Sequence, residues 1–232
     1  TMAERTGFVN GLEDNEHGGD PSPSTALGVY LAIRTAVKHR LGVESVEGVT
    51  VAIQGLGHVG YYLARHLKAD GARVLGADVN QENLDRAVTD LGVEVVSTQD
   101  ILSAQADVFA PCAMGAVLNS DTIAKLRSGI VAGAANNQLA TAEDGHALQA
   151  RGILYCPDFL INAGGFIDVH HQRVGSSNAV KYEHIQRIET TLSEVLKRAD
   201  ECHTQTQQIA EQLAEEYLAA VGNVTAPLRA VG

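Results

Sequence analysis

The stretch Gly55-Leu56-Gly57-His58-Val59-Gly60 decides the fold of this 232-residue chain. It directly follows the apolar run Thr50–Gln54, and residues 61–67 continue at helical spacing. A second apolar run, residues 74–77, ends in Asp78, eighteen positions after the last glycine of the turn. A Gly-x-Gly-x-x-Gly turn between a strand and a helix, with an acid at the end of the next strand, indicates a dinucleotide site. The alternative is a glycine-rich turn that serves only close packing.

Each glycine of such a turn has its own role. Gly55 allows the tight turn, Gly57 lets the backbone approach a pyrophosphate, and Gly60 lets the helix pack closely on the strand. The free N–H groups at the start of the helix would hold the phosphates. Asp78 would accept hydrogen bonds from ribose hydroxyls and repel a 2′-phosphate, and residues 79–81 include no arginine. The sequence therefore favours NAD over NADP as the cofactor.

The composition excludes several classes of partner. A formal net charge of −11 argues against nucleic acid or an anionic membrane surface. The cysteines, Cys112, Cys156 and Cys202, are far apart, which indicates free thiols in a reducing compartment. The adjacent His170 and His171 would point to different faces of a helix, so they do not predict a metal site. No apolar run reaches the roughly 18 residues of a membrane span. We expect a cytoplasmic protein with no metal, membrane or nucleic-acid partner.

Short apolar strands alternate with helices from Val49 onwards, a pattern typical of a parallel sheet buried on both faces. We predict an α/β fold, a doubly wound parallel sheet of Rossmann type followed by C-terminal helices. A first helix is expected from Ser22 as N-cap, with Pro23 at its first position, to about Arg40. The predicted domains are residues 1–42 (loop and lead-in helix), 43–165 (NAD-binding domain) and 166–232 (C-terminal helices). The predicted strands are Val49–Gln54, Arg73–Asp78, Val93–Val96, Val108–Ala110, Ile130–Ala132 and Ile153–Cys156; the other predicted helices are His58–Ala69, Gln81–Leu91, Ser120–Leu126, Ala142–Arg151, Val180–Cys202 and Thr206–Val221.

Three of these strands lead into segments rich in Gly, Ala and Asn, at residues 110–115, 133–138 and 157–165. The ligand crevice of a doubly wound sheet lies at the carboxyl ends of its strands, so these segments are expected at the site. Carboxamides suit a nicotinamide carboxamide, a ribose hydroxyl or a substrate amino group, although an asparagine can equally cap a helix or hold a turn. The candidate carboxamides are those of Asn136, Asn137 and Asn162.

Together these residues resemble the cofactor domain of the leucine/phenylalanine/valine dehydrogenase group, within the glutamate dehydrogenase superfamily. The resemblance implies oxidation of an L-amino acid, of leucine or valine type, to its 2-oxo acid and ammonia with NAD. His58 departs from the family pattern, where Asn or Ala is common, and its side chain is expected to point away from the pyrophosphate. The motifs that carry the resemblance are residues 21–30, 54–60, 110–113, 133–137 and 157–165.

The resemblance also implies the residues of the site. Phe166 and Val169 match positions that face the substrate side chain, and a bulky Phe166 would favour valine or leucine over phenylalanine. Cys112 has no visible base partner, so it is expected to pack beside the cofactor rather than act as a nucleophile. The predicted cofactor-binding residues are Thr25, Gly55, Leu56, Gly57, His58, Val59, Gly60, Asp78, Val79, Cys112, Ala113, Ala135, Asn136 and Asn137; the predicted substrate-binding residues are Asn136, Asn162, Phe166 and Val169.

The resemblance implies that the chemistry of that group depends on two lysines and an aspartate of an N-terminal substrate domain. One lysine follows a Gly-Gly-Gly run and holds the substrate carboxylate, and the other is the general acid/base. None of the five lysines here follows a glycine run. We therefore expect no catalytic residue in this chain, which resembles the C-terminal portion of a longer, homo-oligomeric enzyme. The alternative is a complete protein, either an NAD-binding or regulatory module or an enzyme that uses residues such as His170, Asp168 or Cys112.

Overall fold

The structure, a computed structural model, describes residues 19–222, and within them six parallel strands form one sheet. In chain order the strands are β1 (Thr50–Gln54), β2 (Arg73–Ala77), β3 (Glu94–Val95), β4 (Val108–Pro111), β5 (Ile130–Val131) and β6 (Leu154–Tyr155). Their spatial order is β3-β2-β1-β4-β5-β6, and every neighbouring pair is parallel. The order reverses between β1 and β4, as in a doubly wound sheet. The predicted fold class is confirmed.

Nine α-helices surround the sheet within the described residues. They are α1 (Ser22–Leu41), α2 (His58–Ala69), α3 (Gln81–Leu91), α4 (Ser120–Ile123), α5 (Ala142–Ala150), α6 (Asp158–Ile161), α7 (Gly164–Val174), α8 (Asn178–Cys202) and α9 (Thr206–Gly222). The first of them, α1, contacts α2, α7 and α8. It therefore joins the helix that follows the glycine turn to the helices that follow the last strand.

Both faces of the sheet are buried at its centre, which explains why its central strands are mainly apolar. Val51 and Ile53 belong to a core shared with α1, α2 and α8. Ala52 and Phe109 belong to a second core on the opposite face. Because successive residues of a strand point to opposite faces, each central strand contributes to both cores.

Polar contacts occupy the two edges of the sheet. At one edge, the Arg73 guanidinium donates two hydrogen bonds, of 2.9 and 2.6 Å, to the carboxylate of Glu94 on the exposed β3. At the other edge, the Thr206 hydroxyl at the start of α9 donates a 2.6 Å hydrogen bond to the Tyr155 carbonyl.

The first helix begins one residue earlier than predicted. Ser22 is its first residue rather than its N-cap, and Pro21 holds the cap position. The Ser22 N–H donates instead to Asp20 Oδ1 at 2.9 Å. The prediction of Ser22 as N-cap was wrong because Asp20 supplies the side-chain acceptor that a capping residue normally provides.

Two helices, α6 and α7, were not predicted, since no element was predicted between Cys156 and Val180. The longer of them, α7, begins with two glycines, which are poor helix formers. Tertiary packing requires them, because a Cβ on Gly164 would lie 2.1 Å from the Ser24 carbonyl oxygen on α1. Close helix contact, rather than intrinsic propensity, explains both the glycines and the helix.

Candidate functional site

The glycine turn that connects β1 to α2 is tightly packed at its first and third glycines. Gly55 has φ +98°, in the left-handed region, and a Cβ on it would lie 2.8 Å from the Ala113 Cβ. A Cβ on Gly60 would lie 1.9 Å from the Gly55 carbonyl oxygen. A Cβ on Gly57, by contrast, would meet no protein atom within 4 Å. The fold therefore requires glycine at the first and third positions. The second glycine faces open space, where a phosphate group of a ligand can lie.

The Asp78 carboxylate lies at the end of β2 beside this turn. Its Oδ2 accepts a 2.6 Å hydrogen bond from the Leu56 N–H, and its Oδ1 accepts one of 2.8 Å from the Asn80 N–H. The Asn83 carboxamide donates to Oδ2 at 3.3 Å. These donors hold the carboxylate against the turn, where the remaining lone pair of Oδ1 can accept a hydroxyl hydrogen bond. The neighbouring Val79 side chain is exposed.

A cleft of about 900 Å³ opens next to the turn, between the first residues of α1, the first residues of α2 and the segments after β5 and β6. Asn162 Nδ2 donates to Asn136 Oδ1 at 2.6 Å and to the Ala134 carbonyl at 3.2 Å. The two carboxamides thus form one polar unit in the cleft wall. The predicted site residues that line the cleft are Thr25, Val59, Asn136, Asn162 and Phe166; Val169 is not among its lining residues.

The remaining predicted residues lie in the turns after β4 and β5. The Cys112 N–H donates to the Gln54 carbonyl, and the Ala135 N–H donates to the Pro111 carbonyl. Asn137 has φ +51°, a left-handed conformation that asparagine tolerates better than most residues. Its position therefore fits the alternative of a turn-forming asparagine, whereas Asn136 projects its carboxamide into the cleft.

Cys112 is not poised as a nucleophile. Burial raises the pKa of its thiol to about 12, so the thiolate is scarce at neutral pH. Burial likewise raises the pKa of Cys156 to about 12, whereas Cys202 is exposed. We expect iodoacetamide at pH 8 to label Cys202 and to spare the half-buried Cys112 and the buried Cys156, as read by peptide mass spectrometry. Labelling of Cys112 at the rate of Cys202 would contradict this.

His58, the first residue of α2, is exposed and turns towards the loop before α1. Its Nδ1 lies 3.4 Å from Asp20 Oδ2. The same Asp20 carboxylate accepts the Ser22 N–H, so it connects the starts of the two helices that border the cleft.

Two residues of the cleft wall were missed by the sequence analysis as binding residues. His170 and His184 line the cleft beside Phe166. His170 follows Phe166 by four positions on α7, which places both on one helix face and was a usable signal. His184 lies on α8, and no local pattern connects it to the glycine turn.

Asp168, considered as a residue for alternative chemistry, is engaged in a buried ion pair. Its Oδ1 lies 3.1 Å from Lys181 Nζ, and its Oδ2 accepts a 2.6 Å hydrogen bond from the Ser24 hydroxyl. This contact ties α1, α7 and α8 together. Asp168 therefore contributes to packing and is not available as a free acid or base.

Two further observations concern only the described part of the chain. No three or more His, Cys, Asp or Glu side chains are grouped so that they could hold a metal ion. None of the helices is long and apolar enough to cross a membrane.

The comparisons with known proteins agree with this geometry. The model of the Glutamate/Leucine/Phenylalanine/Valine dehydrogenase family matches residues 20–81 and 78–232. The chain is 40% identical over 216 residues to the leucine dehydrogenase of Thermoactinomyces intermedius, covering 93% of this chain and 59% of that protein. It is 38% identical over 221 residues to the leucine dehydrogenase of Bacillus cereus, covering 95% and 60%.

Solved structures support the same relationship. The crystal structure of L-tryptophan dehydrogenase from Nostoc punctiforme superposes with a TM-score of 0.84 at 38% identity, covering 88% of this chain and 61% of that one. The hetero-hexameric glutamate dehydrogenase of Thermus thermophilus, at 22% identity and a TM-score of 0.76, shares the fold. The chain spans about 60% of the length of the curated relatives it matches. With its α/β fold, its glycine turn and these relatives, the chain belongs to the Glutamate/Leucine/Phenylalanine/Valine dehydrogenase family.

Proposed function

We propose that this chain supplies the cofactor-binding part of an NAD-dependent amino-acid dehydrogenase. The observation that carries the proposal is the Asp78 carboxylate, held by the N–H groups of Leu56 and Asn80 directly beside the open space over Gly57. A carboxylate at this position accepts a hydrogen bond from the ribose 2′-hydroxyl and repels a 2′-phosphate. The start of α2 offers N–H groups and a positive dipole end to the pyrophosphate.

The cleft is proposed to receive the nicotinamide and the amino acid. Asn136 and Asn162 would orient a carboxamide, an amino group or a carboxylate there, because each carries both a donor and an acceptor. NAD, when bound, takes up the hydride released from the amino acid's α-carbon. The residues of this chain orient the two reactants, since proximity and alignment lower the barrier to such a transfer.

For the substrate we propose an L-amino acid of branched-chain type, converted to its 2-oxo acid and ammonia. Phe166 projects into the cleft with 85% of its surface exposed and would narrow the space for a side chain. Two of the relatives described above are leucine dehydrogenases. We also propose a cytoplasmic, homo-oligomeric enzyme, on the same family grounds.

A thermal-shift measurement tests the cofactor. NAD at one hundred times its Kd should stabilise the chain by about 2.7 kcal/mol. For a protein of this size that corresponds to a rise in Tm of roughly 5–10 °C. NADP should give a smaller rise. The Asp78→Arg variant should lose the response to NAD, and the wild type's failure to respond to NAD would contradict the proposal.

The second candidate is an NAD-binding or regulatory module without dehydrogenase activity. It is favoured by the lysines, none of which follows a glycine run, and by Lys181 being paired with Asp168. A turnover assay addresses it: we expect this chain alone to bind NAD but to form no NADH from leucine or valine. Turnover by the chain alone would mean that other residues here replace the two lysines of the family.

A further inference from the structure

Three histidines form the part of the cleft wall where α7 meets α8. His170 and His184 line the cleft, and His171 lies behind them with only 7% of its surface exposed. His171 Nε2 lies 3.0 Å from His184 Nδ1, with the two rings nearly perpendicular at 89°. The other nitrogen of the buried ring, His171 Nδ1, has no hydrogen-bond partner among the described residues.

The number of protons that the two rings can hold limits the charge of the pair. The hydrogen bond between the rings contains one proton, and a neutral pair has one more. That second proton belongs on His184 Nε2, because on His171 Nδ1 it would be a buried donor without an acceptor. A positively charged pair has two protons outside the bond, so one of them must occupy His171 Nδ1. The pair can therefore become charged only at the cost of an unpaired buried N–H, or by breaking the bond between α7 and α8.

The surrounding charges oppose protonation of His184 as well. The groups that act on it are His170 and His171 on α7 and Arg187 on α8, and the Asp168–Lys181 ion pair joins the same two helices. Asp168 and Lys181 neutralise each other in their buried contact. Burial, and secondly the neighbouring His171, Arg187 and His170, lower the pKa of His184.

We propose that His171 and His184 form a latch in the cleft wall, a contact between α7 and α8 that adds to the Asp168–Lys181 ion pair and is intact only while the histidine pair is uncharged. Phe166 and His170 occupy one face of α7 and line the cleft, so opening the latch displaces the wall that they form. Acidification thereby alters the cleft before it unfolds the sheet. The effect of this change on turnover rests on the proposed function, whereas the latch itself does not.

The direction of the pH effect follows from linkage. Because the folded chain binds a proton on His184 less readily than the unfolded chain, the two states differ once pH falls below the ordinary histidine pKa of about 6.5. The stability that the neutral pair provides is present above that pH and is lost as pH falls further. For one proton, the folding equilibrium constant decreases by up to about tenfold per pH unit in that window.

Histidine-selective ¹⁵N NMR of this chain tests the latch without NAD or substrate. Between pH 8 and pH 5 we expect the His184 ring signals to titrate at a lower pH than those of an ordinary histidine, because burial lowers the pKa of His184. Backbone amide signals of α7 and α8 should shift in the same step, while those of β1 and β2 stay constant. Titration of His184 near pH 6.5 with no change in α7 and α8 would overturn the proposal.

A matched pair of variants isolates the proton. Glutamine in His184→Gln retains a donor and an acceptor for His171 but does not titrate. In this variant the free energy of unfolding should fall less steeply between pH 6.5 and 5, by the contribution of one proton. The loss that remains is due to His66, whose pKa is also lowered by burial. His203→Asn, at a left-handed position that asparagine tolerates, should behave like the wild type. An unchanged pH profile in His184→Gln would overturn the latch, and if that variant fails to fold, the wild-type titration decides by itself. Because none of these measurements uses NAD, their outcome is independent of the proposed function.

Discussion

Replacing Gly57 with valine is expected to abolish NAD binding at only a small cost in stability. A Cβ at this position meets no protein atom within 4 Å and its φ of −62° lies outside the left-handed region, so the main cost is that valine is a poorer N-cap than glycine, by roughly 1 kcal/mol. The added side chain instead occupies the space of the pyrophosphate. Losing two charge-assisted hydrogen bonds, at about 1.5–3 kcal/mol each, corresponds to at least a hundredfold weaker binding. Isothermal titration calorimetry would measure the affinity, and the Tm without ligand would report the fold.

Two other glycines provide the controls. Gly129 also has open space around its Cβ position but lies away from the turn, so Gly129→Val should leave NAD affinity unchanged. Gly60→Val should fail differently, by lowering the Tm of the ligand-free chain, because its Cβ would overlap the Gly55 carbonyl. If Gly57→Val binds NAD as the wild type does, the pyrophosphate does not lie over this turn.

Replacing Gly164 with alanine is expected to cause a large loss of stability. The new methyl group would lie 2.1 Å from the Ser24 carbonyl oxygen, and a backbone atom of α1 cannot move without its helix. Overpacking of this kind costs about 3 kcal/mol at the upper end of its usual range. We expect a fall in Tm of roughly 6–12 °C, measured by circular dichroism.

At the adjacent Gly165, a second substitution is expected to restore the stability that an alanine would remove. A Cβ there would lie 2.3 Å from the Thr25 hydroxyl oxygen, which belongs to a side chain rather than to the backbone. Gly165→Ala should therefore destabilise the chain, and adding Thr25→Ala should restore most of the loss. Thr25→Ala should not rescue Gly164→Ala. If Thr25→Ala restored the Tm of both variants equally, the clash at Gly164 would not be with the Ser24 backbone.

The sequence was sufficient for the fold class because the signals that determine it are local. The apolar run 50–54, the glycine turn and Asp78 are consecutive features of one strand–helix–strand unit, and strand–helix alternation imposes a parallel sheet. The α7 helix was missed because its two glycines follow from a contact with α1, more than 100 positions away in sequence. Local propensity contains no information about such a contact.

The candidate site was predictable only in part, for a related reason. Asn136 and Asn162 could be proposed because both follow predicted strands, yet their 2.6 Å contact depends on how two loops meet. Asn137 is next to Asn136 in sequence and has the same side chain, but its left-handed backbone identifies a turn residue. His184 could not be connected to the cleft, since only the packing of α8 against α7 places it there. The binding roles of all these residues stay predictions.

The contacts at the two ends of the sheet restrict how copies of this chain can associate. An open edge strand recruits further strands through its unpaired backbone groups. Here the charged pair of Arg73 and Glu94 lies along one edge, and Thr206 already uses the Tyr155 carbonyl at the other. A strand of another copy would have to break the Thr206 bond to pair with β6, and beside β3 it would meet charged side chains, which disfavour edge pairing. Assembly is thereby directed to the helical surfaces, which is compatible with closed oligomers and unfavourable to open-ended fibres.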